Sequence, residues 1–152
     1  MTVIDTFRQG LEILDPIMRA NGFAFREGDS GPSSGGEFAS GTYVSGDRSL
    51  EIHFRGQLGL VTYHIGADAL SHDVFMRAIL GAGDKSRYPG FSDDPLAAFS
   101  DLRSDLENHA SDFLSGDGSI FRRCIQEARA AQKLSPLERI EQGWPNSIRT
   151  MR

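Results

Sequence analysis

Residues 37–65 alternate apolar and polar side chains through three consecutive stretches, about 37–45, 48–55 and 58–65, separated by Gly46-Asp47 and Gly56-Gln57. A period of two puts successive residues on opposite faces of a strand. A two-residue turn opened by Gly, which takes a positive φ at no steric cost, joins antiparallel neighbours. The middle of this chain is therefore bound to form an antiparallel meander, and the rest has to pack around it.

Two tight turns also fix a register. Tyr43 faces Leu50, Gly41 faces Ile52 and Ala39 faces Phe54; on the other side Phe54 faces Gly59, Ile52 faces Val61 and Leu50 faces Tyr63. One face then carries Ala39, Gly41, Tyr43, Leu50, Ile52, Phe54, Val61, Tyr63 and Ile65 and is the core face, with Gly41 and Gly59 leaving room for helices. The opposite face carries Phe38, Val44, Leu58 and Leu60 among Ser40, Thr42, Ser49, Glu51, His53, Arg55, Thr62 and His64. It is neither plainly apolar nor plainly solvated.

Helical spacing surrounds the meander. Ile4, Phe7, Leu11, Leu14, Ile17 and Met18 recur every three or four residues and predict a helix over 4–20, stopped at Gly22 and kinked or broken at Pro16. Residues 23–27 predict one further strand, and the Gly/Ser-rich residues 28–36 a loop. Ser71 is placed to cap a helix bearing Phe75, Met76, Ile79 and Leu80. Asp94-Pro95 opens a second, with Leu96, Phe99, Leu102, Leu106, Ala110 and Phe113 as its apolar stripe. A third starts near Ser119 and should break at Pro136. The expected fold is α+β: an N-terminal helix, an antiparallel four-stranded β-meander, then three C-terminal helices packed on one sheet face. Residues 1–140 are expected to form a single domain, with 141–152 a tail free to be flexible.

At 152 residues and 39% hydrophobic composition the chain can bury a core without staples. Its one cysteine excludes an internal disulfide, and no Cys/His spacing fits a zinc site. No apolar run approaches the roughly 18–20 residues of a membrane span, and the N-terminus lacks a basic, then apolar leader, so a cytoplasmic location is expected. The net charge of −5 argues against a nucleic-acid partner. Seven acids and one base fill residues 93–117, whereas seven bases and three acids follow from Arg122 onward. That polarity reads either as neighbouring helices that attract each other or as an acidic face offered to a basic partner.

Candidate sites follow from these placements. Glu51, His53, Arg55 and His64 share the non-core sheet face, where a carboxylate, two imidazoles and a guanidinium suit acid–base chemistry or anion binding. In the register above, four strand positions at about 3.4 Å each hold the two imidazoles over 10 Å apart, so no shared metal is expected. Ser71-His72-Asp73 has the letters of a hydrolase triad, but consecutive residues point in different directions, and a cap with an acid in the first turn accounts for them. Gly81-Ala82-Gly83-Asp84-Lys85-Ser86 fails the phosphate-loop pattern because Asp84 separates Gly83 from Lys85, so no nucleotide cofactor is expected. The loop does bring Lys85, Arg87, Tyr88 and Phe91 together in a composition suited to a partner contact or pocket lid. Asp101, Asp105, Asn108 and Asp112 recur at helical spacing opposite Leu102 and Leu106, a charged stripe too long to surround one cation. Cys124 shares the apolar side of its helix with Phe121, Ile125 and Ala128 and reads as a small buried hydrophobe.

Two functions fit. The first is a non-enzymatic protein-interaction module of the partner-sequestering, chaperone or immunity kind, homodimeric, contacting an unidentified protein partner through Asp101, Asp105, Asp112, Leu58, Leu60, Tyr88 and Phe91. The second is a small-ligand binder or enzyme with its site on the sheet face and the loops 28–36 and 81–93, using Glu51, His53, Arg55, His64 and Arg87. Neither reading assigns a cofactor, a metal or a catalytic residue.

Overall fold

Thr2 starts the first helix, α1 (Val3–Ala20), through a capping box: its hydroxyl accepts from the Asp5 N–H while the Asp5 carboxylate accepts from the Thr2 N–H. The computed structural model describes residues 2–32, 36–81, 86–90, 92–145 and 150–151. The helix runs through Pro16 without a break to Ala20. Its buried edge, Phe7, Leu11, Leu14 and Met18, lies across the sheet.

The sheet follows as β1 (Ala24–Gly31), β2 (Phe38–Ser45), β3 (Arg48–Phe54), β4 (Leu58–Ile65) and β5 (Asp68–Ser71), antiparallel throughout and in sequence order. The α+β class stands, with one meander strand more than the four expected. That strand was hidden because Gly66-Ala67 forms another two-residue turn and β5 is only four residues long, ending on the Ser71 helix cap. A two-residue strand, β6 (Thr150–Met151), pairs beside β5.

The β2–β3 register matches the expected one at every pair, with Gly46 at φ 60° in the turn. The β3–β4 register matches from Leu50↔Tyr63 to Ile52↔Val61 and then slips, so that Phe54 faces Leu58 rather than Gly59. One extra residue in β4 makes a bulge. Its effect is local and large: Leu58 turns into the core at 7% exposure, while Leu60 stays out at 58%. Leu58 is thus a core residue, not an outer-face one. The space above Gly41 is filled by the Phe25 ring from β1 rather than by a helix, and Gly59 is exposed.

Three longer helices and two short ones complete the chain: α2 (His72–Leu80), α3 (Pro95–His109), α4 (Ser111–Leu114), α5 (Ser119–Gln132) and α6 (Pro136–Glu141). The break at Pro136 occurs as expected, and the proline then opens α6 behind a Ser135–Glu138 capping box. α1 and α3 pack closely at Gly10, where a Cβ would overlap the Phe99 ring. Tyr63, Phe75, Phe113 and Phe121 stack edge-to-face or tilted beneath α2, α4 and α5. Cys124 is buried and free, and burial pushes its thiol up to about 11. Arg48 ties the sheet to this layer, donating to the carbonyls of Asp112, Phe113 and Gly116 at the end of α4. Trp144 is buried under the Arg77 guanidinium, 4.7 Å from the ring centre, and Arg77 also donates to the Gln142 and Gly143 carbonyls.

Candidate functional site

The side chains that alternate away from the core leave the sheet with two unlike faces. The contacts of α1, α2, α3 and α5 with the strands are made through the core residues, on one side. On the other side β2, β3 and β4 present Phe38, Ser40, Thr42 and Val44, then Ser49, Glu51 and His53, then Leu60, Thr62 and His64.

Glu51 sits at the centre of this face. Its two oxygens take one imidazole each: His53 Nε2 lies 2.8 Å from Oε2, and His64 Nε2 lies 3.0 Å from Oε1. His53 comes from two residues along the same strand, and His64 from the diagonal position on β4, opposite Ser49. The two histidines therefore share one carboxylate from opposite sides, although they stand four strand positions apart. With Glu51 ionised, each Nε2–H donates to it. Burial works to raise the Glu51 carboxyl, but the hydrogen bonds and charges of His53 and His64 outweigh it and hold the group below its usual range. That contribution to stability is present above the unfolded value of about 4.5 and is lost as pH falls through the lower, folded value. Arg55, exposed, lies over the Phe38 ring at 5.4 Å, at the end of the same face.

A second polar cluster lies wholly inside. Tyr63 on β4, His72 at the start of α2 and Asp105 on α3 are 0%, 2% and 1% exposed. Tyr63 Oη is 2.8 Å from His72 Nδ1, and His72 Nε2 is 2.9 Å from Asp105 Oδ2. Asp105 also accepts from the backbone N–H of Arg87 at 2.7 Å and of Tyr88 at 2.9 Å. Burial acts to raise the Asp105 carboxyl, yet the hydrogen bonds from His72, Arg87 and Tyr88 together bring it below its usual value. An ionised Asp105 can only accept, so His72 carries a proton on Nε2, and its Nδ1 shares a hydrogen bond with the Tyr63 hydroxyl. Burial first, and the Asp105 charge second, hold the Tyr63 hydroxyl protonated. Every polar atom of the chain from Tyr63 to Asp105 is thereby used, and the relay is a buried fastening.

This overturns the exposed acidic stripe. Asp105 faces inward, because three residues beyond Leu102 is only about 60° around a helix, on the flank of the apolar stripe rather than opposite it. Asp112 is spent on the start of α5, accepting from the N–H groups of Gly118 and Phe121. Asp101 is half-buried, with its carboxylate against Gly90. Tyr88 is also buried: its hydroxyl donates to the Leu58 carbonyl at 2.8 Å and to that of Gly59, closing the bulge of β4. Burial, then the Asp73 charge, pushes that hydroxyl up to about 12. Arg87 is exposed, and its backbone alone enters the relay. Phe91, Lys85 and the rest of 82–85 lie outside the described residues, as do 33–35 of the loop 28–36. Ser71 caps α2 through the Val74 N–H, as its position suggested.

Sequence reasoning missed Tyr63 and the role of His72. The partner of His72 lies 33 residues further on, so no local pattern announces it. A cavity of about 290 Å³ adjoins the relay between the bulge and Tyr88, lined by Leu60, Val61, Ser71, His72 and Asp73. Among the described residues no group of three or more His, Cys, Asp or Glu is arranged to hold a metal ion, and no helix is long and apolar enough to cross a membrane. No protein-family model, curated protein or solved structure matches the chain.

Proposed function

We propose that the protein is a non-enzymatic, cytoplasmic protein-interaction module that pairs with a second copy of itself through the open sheet face. The observation that carries this reading is the packing of the helices against the core face of the sheet, while the other face keeps Phe38 and Val44 half-buried and Leu60 exposed and is closed only towards β5, where Thr62 and Ala69 are 2% and 1% exposed. Sheets pack face to face about 10 Å apart. Five strands spaced about 4.8 Å, with residues every 3.4 Å or so, offer about 500 Å² in plan. Two copies together would cover about 1,000 Å², where specific interfaces begin.

Arg26, paired with Thr42 on β1, and Arg55, over the Phe38 ring, share this face with Glu51. The buried relay supports the non-enzymatic part of the reading, because its three side chains are 0–2% exposed and their polar atoms are already hydrogen-bonded to one another and to the backbone of residues 87 and 88.

Light scattering tests this directly. Wild type should have twice the 16.7 kDa chain mass at tens of micromolar. Leu60→Asp, on an exposed position, should return the single-chain mass with an unchanged circular dichroism spectrum. A wild type that keeps the single-chain mass at millimolar concentration would refute the pairing. A small-molecule site would instead show itself as a ligand-dependent rise in melting temperature.

A further inference from the structure

We infer that two copies meet across a two-fold axis at the bulge of β4, where Leu60 of each copy seats on Gly59 of the other. This rests on the pairing proposed above and names the contact at its centre. The observation that carries it is a glycine the fold does not need. Among the described glycines, every other one either holds a positive φ or lies where a Cβ would come within 3.0 Å of a neighbouring atom. Gly59 does neither: its φ is not positive, and a Cβ there would meet only the His53 carbonyl, at 3.4 Å, an ordinary contact. A bulge calls for glycine where its backbone turns left-handed, and this one does not. Glycine otherwise weakens a strand, and in that position it marks where another chain comes close.

The same bulge supplies a projection. Gly59 and Leu60 together stand opposite the single residue His53, so both present themselves to the outer face, with Cα atoms about 3.8 Å apart. Gly59 is exposed, and Leu60 is 58% exposed. Hollows of about 290 and 330 Å³ flank the pair, and Gly59 and Leu60 border both of them. Thr62, the next outward residue of β4, is 2% exposed. An approaching surface therefore meets this strand at residues 59 and 60 and not beyond.

A two-fold interface is self-complementary: if one residue touches a second on the other copy, that second touches the first in return. The smallest patch that meets this condition is a projection beside a recess, and Leu60 beside Gly59 is one. A two-fold axis between the two residues lays each leucine over the other copy's glycine, with its methyl groups in the flanking hollows. A partner of another sequence gives no reason to set both features side by side. The absent Cβ lets the two β4 backbones approach, and each leucine leaves water. Filling the recess should push the copies apart, although it enlarges the apolar patch.

The experiment is sedimentation equilibrium at pH 7 on wild type, Gly59→Leu, Gly59→Ala and Leu60→Gly, with circular dichroism on each. Gly59→Leu should weaken the Kd for pairing about tenfold or more, as overpacking of a closed contact does. Gly59→Ala adds one carbon at ordinary contact distance, leaves the strand intact and should weaken pairing in the same direction by less. Leu60→Gly removes the projection and should weaken it as well. An equal mixture of Gly59→Leu and Leu60→Gly sets two projections against two recesses, and it should pair more tightly than either variant does alone. A wild type that pairs, with both Gly59 variants pairing as tightly or more tightly, overturns the inference and leaves the pairing intact. A mixture no tighter than its components overturns it too. A wild type of single-chain mass at millimolar concentration overturns the pairing itself and the inference with it.

Discussion

Asp105→Ala is expected to destabilise the protein by about 3–5 kcal/mol, the cost of removing one partner from a buried charged network. The alanine would leave three donors without acceptors inside the protein: His72 Nε2–H and the backbone N–H groups of Arg87 and Tyr88. Asp101→Ala, one turn earlier on the same helix, should cost about 0.5 kcal/mol or less. Urea midpoints at pH 7 read both, and similar losses for the two would remove the relay from the account. The pH dependence supplies a second check. The carboxyl of Asp105 is held below its unfolded value of 3.8, so its contribution is present above about pH 4 and is lost as pH falls through the folded value. The gap between wild type and Asp105→Asn should therefore narrow on acidification towards pH 3. A gap that widens in acid would contradict this sign.

Gly10→Val is expected to cost about 3 kcal/mol, although Gly is among the poorest residues for a helix interior. Helix propensity alone predicts a small gain on replacing Gly. Here the Cβ would enter the Phe99 ring, and a valine adds two more carbons to a contact already closed. The cavity left by Phe99→Ala should cost about 3–5 kcal/mol by itself. In that background Gly10→Val should cost under about 1 kcal/mol, because the ring it collides with is gone. Chemical denaturation of the four proteins of this cycle measures the coupling. Additive effects would mean that α1 and α3 do not meet at this pair.

What could be read from the sequence was what local periodicity encodes. The β2–β3 hairpin came out pair by pair, because Gly46-Asp47 fixes the turn and one slip would turn every core side chain outward. The bulge in β4 did not, since Leu58 and Leu60 satisfy either phase of the alternation and only the tertiary partner chooses. That partner is the Tyr88 hydroxyl, which meets the Leu58 and Gly59 carbonyls from 30 residues away. β5 was lost because four residues between a turn and a helix cap carry little pattern.

Site residues divided along the same line. Glu51, His53 and His64 were placed on one face by strand alternation alone. Their convergence depends on side chains leaning along their strands, so counting strand positions hid the carboxylate they share. Asp105 failed as a surface residue because about 60° of rotation from Leu102 is compatible with either side of the boundary. A carboxylate goes inside only when donors await it, and those donors sit on α2 and in the loop before α3.

The loop between α2 and α3 has no secondary structure at Arg87 and Tyr88. The amide protons of those two residues nevertheless end on a carboxylate that is 1% exposed. Amides in an irregular segment ordinarily exchange with solvent through small local openings. These two exchange only when the loop comes away from the Asp105 carboxylate on α3, an opening that leaves a buried charge short of two donors. In deuterated water their signals should persist alongside those of the central strands. The clock of the core therefore runs through a stretch of chain that looks, residue by residue, like surface.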